Sequence, residues 1–196
     1  MSTIAVKPTW YNGVFFRSRL EARWAVFFDA LGISWRYEPE KYETPHGPYI
    51  PDFEIDLYNG KTLIEVKPNS WFAFCDVKPF SLPDDVERYC DVSEMTGMPI
   101  YVTGDLAPLG QVECSGRFGS NGKAMYTPGD WDHDFTVCPY CLEVGIEYDA
   151  RSARMTCCQQ RRANSASDKD YQGNHVKLLD AYAAALSARF EERRTA

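Results

Sequence analysis

Apolar positions fall into distinct regimes along this chain, and each regime predicts a different element. Leu20, Trp24, Phe27 and Leu31 recur at helical spacing. Ser18 and Glu21 ahead of them fit a Ser-x-x-Glu capping box, and Gly32 stands where a helix would end, so a helix is predicted from about Ser18 to Leu31. Between 49 and 68 the period drops to two. Phe53, Ile55, Ile64 and Val66 alternate with Asp52, Glu54, Asp56, Glu65 and Lys67, predicting two strands with one apolar and one charged face. Asn59-Gly60 lies between them, a dipeptide suited to the two-residue type I′ turn. With those two residues as the turn, Tyr58 faces Lys61, Glu54 faces Glu65 and Asp52 faces Lys67. Val176, Leu179, Tyr182, Leu186 and Phe190 predict a closing amphipathic helix over 175–192 that docks on the core or on a second copy.

The segments between are less patterned. Residues 1–13 read as a poorly fixed arm, 33–37 as a short strand ending at Glu38-Pro39, and 40–48 as a loop with His46 on its surface. Trp71, Phe72, Phe74 and Phe80 read as irregular core cover. A second helix is predicted over 83–96, with Pro83 in its first turn and Gly97 beyond its end. An apolar strand over 98–103 follows, so strand, helix and strand form a crossover with parallel strands. Residues 105–132 are rich in Gly, Ser and Asn and predict loops or small strands, and 163–174 read as a flexible linker.

The charged face of the hairpin carries the first candidate chemistry. Glu54 opposite Glu65 places like charges across a strand pair, which is destabilising. A hard divalent ion held by oxygen ligands relieves that repulsion, with Lys67 completing the site. The competing reading is a hydrated, solvent-exposed face.

Asp52 preceded by Pro51, followed by Glu65-Val66-Lys67 on the next strand, resembles the PD-(D/E)xK nuclease motif. With Phe16-Arg17-Ser18-Arg19-Leu20-Glu21 upstream, the run as far as Gly104 resembles the TnsA-like transposon-end endonucleases, over about half of the chain. The resemblance implies an α/β (α+β) fold: a restriction-endonuclease-like core with a mixed central sheet flanked by helices, in the order helix, three strands, helix, strand. It implies a metal-dependent DNA endonuclease of a phage or mobile element. Asp52 and Glu65, helped by the Val66 carbonyl, would bind catalytic Mg²⁺ or Mn²⁺. Lys67 would orient or help deprotonate the attacking water, or neutralise developing charge. Glu21 is a fourth catalytic member or a helix cap, and both readings stand. Arg17, Arg19 and Arg23 run against the dipole preference at a helix start and read as phosphate contacts, with Arg17 or Arg23 paired to a core carboxylate as the alternative.

Cys138-Pro139-Tyr140-Cys141, followed by Cys157-Cys158, resembles a zinc knuckle or ribbon. The adjacent second pair departs from the usual spacing. Cys138, Cys141 and one of Cys157 and Cys158 are the firmer ligands; the fourth is the other cysteine, His133 or His175. Four reduced cysteines in a small core are the alternative. Arg151, Arg154, Arg161 and Arg162 nearby read as a DNA-facing patch or as solvated charge. The expected organisation is a nuclease core over 1–110, a zinc-binding module over 111–165, and a linker with the closing helix over 166–196. Loss of structural Zn²⁺ is expected to unfold the module and spare the core.

Composition changes this picture little. The 196 residues carry a net charge of −7, which argues against a basic coat but not against a local basic patch for DNA. No apolar run has the length of a membrane span and no signal pattern opens the chain, so a cytoplasmic protein with no membrane partner is expected. Seven cysteines are too few and too scattered for a disulfide scaffold. Two rival readings remain. One is a catalytically silent nuclease fold that binds DNA or docks phage or transposition proteins, or a second copy, through the zinc module. The other is a structural DNA-binding protein whose metal only steadies the hairpin. An unbroken Asp, Glu and Lys set argues against a silent fold.

Overall fold

The computed structural model describes residues 7–68, 84–106, 117–118, 124–125, 133–148, 155, 157–158 and 175–190. It is a mixed α/β arrangement built on a mixed sheet. Trp71, Phe72, Phe74, Phe80 and Pro83 lie outside the described residues, as do Arg151, Arg154, Arg161, Arg162 and the 163–174 linker.

The first element corrects the reading of an arm. Strands β1 (Thr9–Tyr11) and β2 (Val14–Phe16) form an antiparallel hairpin with Tyr11 paired to Val14. Asn12 and Gly13 form its turn with φ of 47° and 79°, the doubly positive pair that a type I′ turn requires. Helix α1 (Arg19–Leu31) begins at Ser18, whose hydroxyl accepts a hydrogen bond from the Glu21 N–H, and ends at left-handed Gly32. It buries Ala22, Trp24, Ala25, Phe27, Phe28 and Leu31, and the Trp24 indole N–H is satisfied by the Gly104 carbonyl at 3.0 Å.

Strand β3 (Trp35–Tyr37) is followed by a second small hairpin, β4 (Tyr42–Thr44) and β5 (Gly47–Tyr49), where a loop was expected. The central hairpin comes next, β6 (Phe53–Leu57) and β7 (Gly60–Val66). Its register differs from the expectation. Leu57 pairs with Gly60, Asp56 with Lys61 and Glu54 with Leu63, so Tyr58 and Asn59 make the turn. Only Gly60 there has positive φ, at 123°, so the doubly left-handed turn does not form. Tyr58 leaves the ladder for a tertiary contact, its ring lying so close over Gly145 that a Cβ there would fall 2.7 Å from it. The partner of each residue thus moves by two, which preserves the faces. Phe53, Ile55, Ile64 and Val66 remain together in the core. The expected opposition of Glu54 and Glu65 is absent.

Helix α2 (Asp84–Thr96) carries the chain over to β8 (Ile100–Thr103), which pairs parallel with β7 as the crossover pattern predicts. Strands β9 (Arg117–Phe118) and β10 (Ala124–Met125) extend the same sheet in the order β10-β9-β8-β7-β6-β3, so it continues past residue 110. Leu63, Ile100 and Val102 meet Val86, Tyr89 and Val92 of α2 on one face.

The other face is the larger core. There α1 packs with strands β11 (His133–Val137) and β12 (Val144–Tyr148) and with helix α3 (Val176–Ser187). Phe27 touches Phe135 at 5.1 Å and Tyr182 at 4.6 Å between ring centroids. The buried stripe of α3 is Leu178, Ala181, Tyr182 and Ala185; Val176 is 64% exposed and Leu186 also faces solvent. The expected stripe shared only Tyr182 with this one. Small alanines let the two helices approach, and that outweighs the larger side chains on the neighbouring face. No helix among the described residues is long and apolar enough to cross a membrane.

Candidate functional site

A cleft of about 640 Å³ opens at the ends of β6 and β7, lined by Glu21, Asp52, Glu65 and Lys67 together with Arg17, Tyr49 and Asp85. Asp52 and Glu65 are 3% and 5% exposed, and Glu21 is also buried. Each oxygen of the central pair has a partner. Asp52 accepts the Val66 N–H at 2.8 Å on one oxygen and the Arg17 guanidinium at 2.8 Å on the other. Glu65 accepts the Tyr49 hydroxyl at 2.5 Å and the Lys67 ammonium at 2.9 Å. Lys67 is shared with Asp85 at 3.2 Å, which Arg88 also holds.

Electrostatics follow from these neighbours. Burial first, then the Glu65 charge, pushes the Asp52 carboxyl well above the usual range, although the Val66 N–H and Arg17 oppose the shift. Burial and the mutual repulsion of the two carboxylates thus outweigh the Arg17 charge at Asp52, a setting in which a further cation is stabilising. Burial works against the Lys67 ammonium, yet Glu65 and Asp85 hold its pKa above that of an ordinary lysine. The ammonium thus keeps its positive charge beside Glu65 and Asp85. Burial and Glu65 likewise push the Tyr49 phenol up, so it remains a proton donor.

Glu21 has a resolved geometry. Ser18 caps α1 alone, while the Glu21 carboxylate accepts the Tyr37 hydroxyl, and Tyr37 in turn accepts the Arg17 N–H at 3.2 Å. Its side chain belongs to the cleft and makes no reciprocal capping bond among the described residues. Glu54, by contrast, is drawn out of the site. It pairs with Arg36 across the β3–β6 ladder at 2.7 Å and with Lys61 at 2.5 Å.

The three arginines expected to act together separate. Arg17 is at the cleft, bound to Asp52 and Glu38, while Arg19 and Arg23 line a different cavity. Sequence reasoning did not find Tyr37, Tyr49 or Asp85. Asp85 had a signal, an acidic residue in a predicted first helical turn; the tyrosines reach the cleft only through the pairing of distant strands.

The second centre is sulfur. Cys138, Cys141, Cys157 and Cys158 bring their Sγ atoms within 4.8 Å of one another. Cys138 and Cys158 are 3.7 Å apart, Cys141 and Cys157 3.4 Å. A tetrahedral ion with metal–sulfur bonds of about 2.3 Å needs sulfurs roughly 3.8 Å apart, so the cluster could hold a metal such as zinc. Both members of the adjacent pair converge, so all four sulfurs could serve one ion. The His133 ring instead lies tilted beside Tyr101 with centroids 5.6 Å apart, and His175 caps α3 by accepting the Lys177 N–H. Burial opposes ionisation of Cys138, but the Cys141 and Tyr140 N–H groups outweigh it and bring the thiol down to about 7. Leu142, just after the Cys-x-x-Cys, holds φ at 61°.

Among described residues, the four cysteines are the group of three or more ligand-type side chains that converges this tightly. The cleft carboxylates do not form such a group. Comparison with family models, curated proteins and solved structures gives no match in any of the three. The reading of function therefore rests on these two centres.

Proposed function

We propose that this chain is a metal-dependent DNA endonuclease of the PD-(D/E)xK type, of the kind carried by phages and mobile elements. The observation that carries the reading is one cleft lined by Glu21, Asp52, Glu65 and Lys67, with the central carboxylates almost fully buried. The element order α1, β3, β6, β7, α2, β8 supports a restriction-endonuclease-like core, since helix, three strands, helix, strand is what the motif implies.

The donor set fits Mg²⁺ or Mn²⁺, because such ions use one or two carboxylates and fill their remaining positions with water and phosphate oxygens. Asp52 and Glu65 would hold the ion, with the Val66 carbonyl as a third oxygen. When bound, it supplies Lewis-acid polarisation of the scissile phosphate. The chain's own residues do the rest. Arg17, with a side chain 60% exposed, is free to turn from Asp52 toward a phosphate oxygen. Lys67 offers a compact positive charge where negative charge develops on the phosphate. Its raised pKa argues against proton abstraction, which leaves Glu21 to orient the attacking water and accept its proton. Tyr37 and Tyr49 hold Glu21 and Glu65 in position. In the same reading the four cysteines bind a structural Zn²⁺, which takes no part in the chemistry.

The test is cleavage of a panel of linear, nicked and branched DNAs with Mg²⁺ and with Mn²⁺. Glu21→Gln keeps the Ser18 cap and accepts from Tyr37, so an unchanged melting temperature with cleavage lowered about 100-fold is expected. Lys67→Ala should abolish cleavage and leave DNA binding largely intact. A wild-type protein that binds DNA or a partner but cuts nothing in the panel would overturn the enzyme reading in favour of a silent nuclease fold.

A further inference from the structure

We propose that the junction between α1 and the end of α3 is a binding site for a phosphate group, separate from the carboxylate cleft. Arg19 and Arg23 lie one turn apart on α1 and share a cavity of about 520 Å³ with Arg189, Leu186 and Phe190. That size is within the range of small-ligand pockets. Among the described residues, no carboxylate lines it.

The guanidinium groups lack the partners found elsewhere in the molecule. Arg17 and Arg36 each hold a buried carboxylate. Arg19, Arg23 and Arg189 make no ion pair or side-chain hydrogen bond among the described residues, and the Nε atoms of Arg19 and Arg23 are buried without an acceptor. A buried donor left unpaired is costly, and three like charges around one cavity repel. The C-terminal dipole of α3 offsets part of that charge, about half an elementary unit. It does not satisfy the Nε donors, neither of which reaches a carbonyl. A phosphate group answers both needs, because its several oxygens accept from more than one guanidinium fork and its charge balances theirs. A carboxylate offers two oxygens and a single charge to three arginines, and matches less well.

The source of the phosphate is either nucleic acid, at an end or along the backbone, or a small free anion. The site stands whether or not the cleft cuts DNA. The test is titration calorimetry on the full chain at constant ionic strength and without added divalent ion. Inorganic pyrophosphate, a 5′-phosphorylated oligonucleotide and its unphosphorylated twin are compared for the wild type, the Arg19→Gln/Arg23→Gln double variant, Arg23→Lys and Arg189→Gln.

Each lost arginine should weaken binding about tenfold, the double variant about 100-fold. Arg23→Lys should lie between, since it keeps the charge and loses the fork. Arg189 lies beyond the helix, so its variant keeps the test valid if the double variant folds poorly. Tighter binding of the phosphorylated oligonucleotide, erased by the variants, assigns the site to nucleic-acid ends. Equal loss of both oligonucleotides assigns it to backbone phosphate. Loss of pyrophosphate binding alone assigns it to a free anion. Wild-type binding of none of the three, or binding unchanged in every variant, overturns the proposal.

Discussion

The carboxylate cleft and the cysteine cluster differ in what keeps their ligands in place. In the cleft every oxygen of Asp52 and Glu65 already has a partner from the chain: Arg17, the Val66 N–H, Tyr49 or Lys67. In the cysteine cluster the thiols meet one another. Under the proposed reading, carboxylates already held by internal cations can stand without an ion and exchange one. A soft site whose ligands converge mainly on each other depends on the ion for its shape. On that reading, the difference between an exchangeable and a permanent ion would lie in the neighbours of the ligands more than in the ligands themselves.

The strongest way to break that comparison is to remove the soft ion. The purified chain is expected to carry about one zinc per molecule by elemental analysis, and Cys138→Ser should lower stability by several kcal/mol. Sparing of the core, expected from the sequence, does not follow from the packing. Phe135, Val137, Val144 and Ile146 belong to the same cluster as α1 and α3, so loss of hydrogen-exchange protection should spread from β11–β12 into α3. A zinc-free protein with an unchanged melting temperature would refute the dependence.

The hard site should respond in the opposite sense. Asp52→Asn should abolish Mg²⁺-dependent cleavage yet raise the stability of the magnesium-free protein near neutral pH by about 1 kcal/mol. The sign follows from the raised Asp52 pKa. Its stability contribution is complete below the unperturbed carboxylate value, about 4, and is lost as pH rises through the higher folded value. The gain from Asn should therefore grow with pH and vanish in acid, which thermal melts at several pH values would read.

A smaller effect sharpens the view of the sulfur side. Leu142 holds left-handed φ beside the cluster and its side chain is largely exposed. Leu142→Gly relieves that conformation and should raise the melting temperature by about 2–4 °C if the loop is held by the ion; a fall would point to Leu142 packing instead. The smallest effect lies outside both centres. His46 pairs with Asp91 at 2.9 Å and with Glu87 at 3.4 Å, joining the β4–β5 hairpin to α2. The Asp91 hydrogen bond raises its pKa, so its contribution is present below about pH 6.5 and lost as pH rises through the folded value. His46→Gln should lower the melting temperature slightly at pH 5.5 and leave it unchanged at pH 8.5.

What was legible in the sequence was local. The cap and stripe of α1, the parallel β7–β8 crossover and the cysteine spacing each rest on short-range chemistry. The two Asn-Gly dipeptides show where that ends. Asn12-Gly13 forms the doubly left-handed turn because the flanking strands are only three residues each and local preference rules. At Asn59-Gly60 the same dipeptide yields to Tyr58, whose ring, hydroxyl and N–H all engage β12. The charged face was still read correctly, because a shift of two residues leaves each side chain on its own side. Which cation met which carboxylate was not legible. Arg36 reaches Glu54 only once β3 has paired with β6, and Asp85 reaches Lys67 only once α2 has crossed the sheet.

The packing of α3 on α1 has a consequence for how the chain is made. The face of α1 bearing Phe27 is covered in part by Tyr182, from an element well over a hundred residues later in the chain. At roughly 5–20 residues per second, a ribosome takes on the order of 10 s or more to deliver that cover. For that interval the nascent chain presents an aromatic surface in search of a partner, so its yield in cells should depend on chaperones that shield such surfaces and on the speed of translation through the middle of the message.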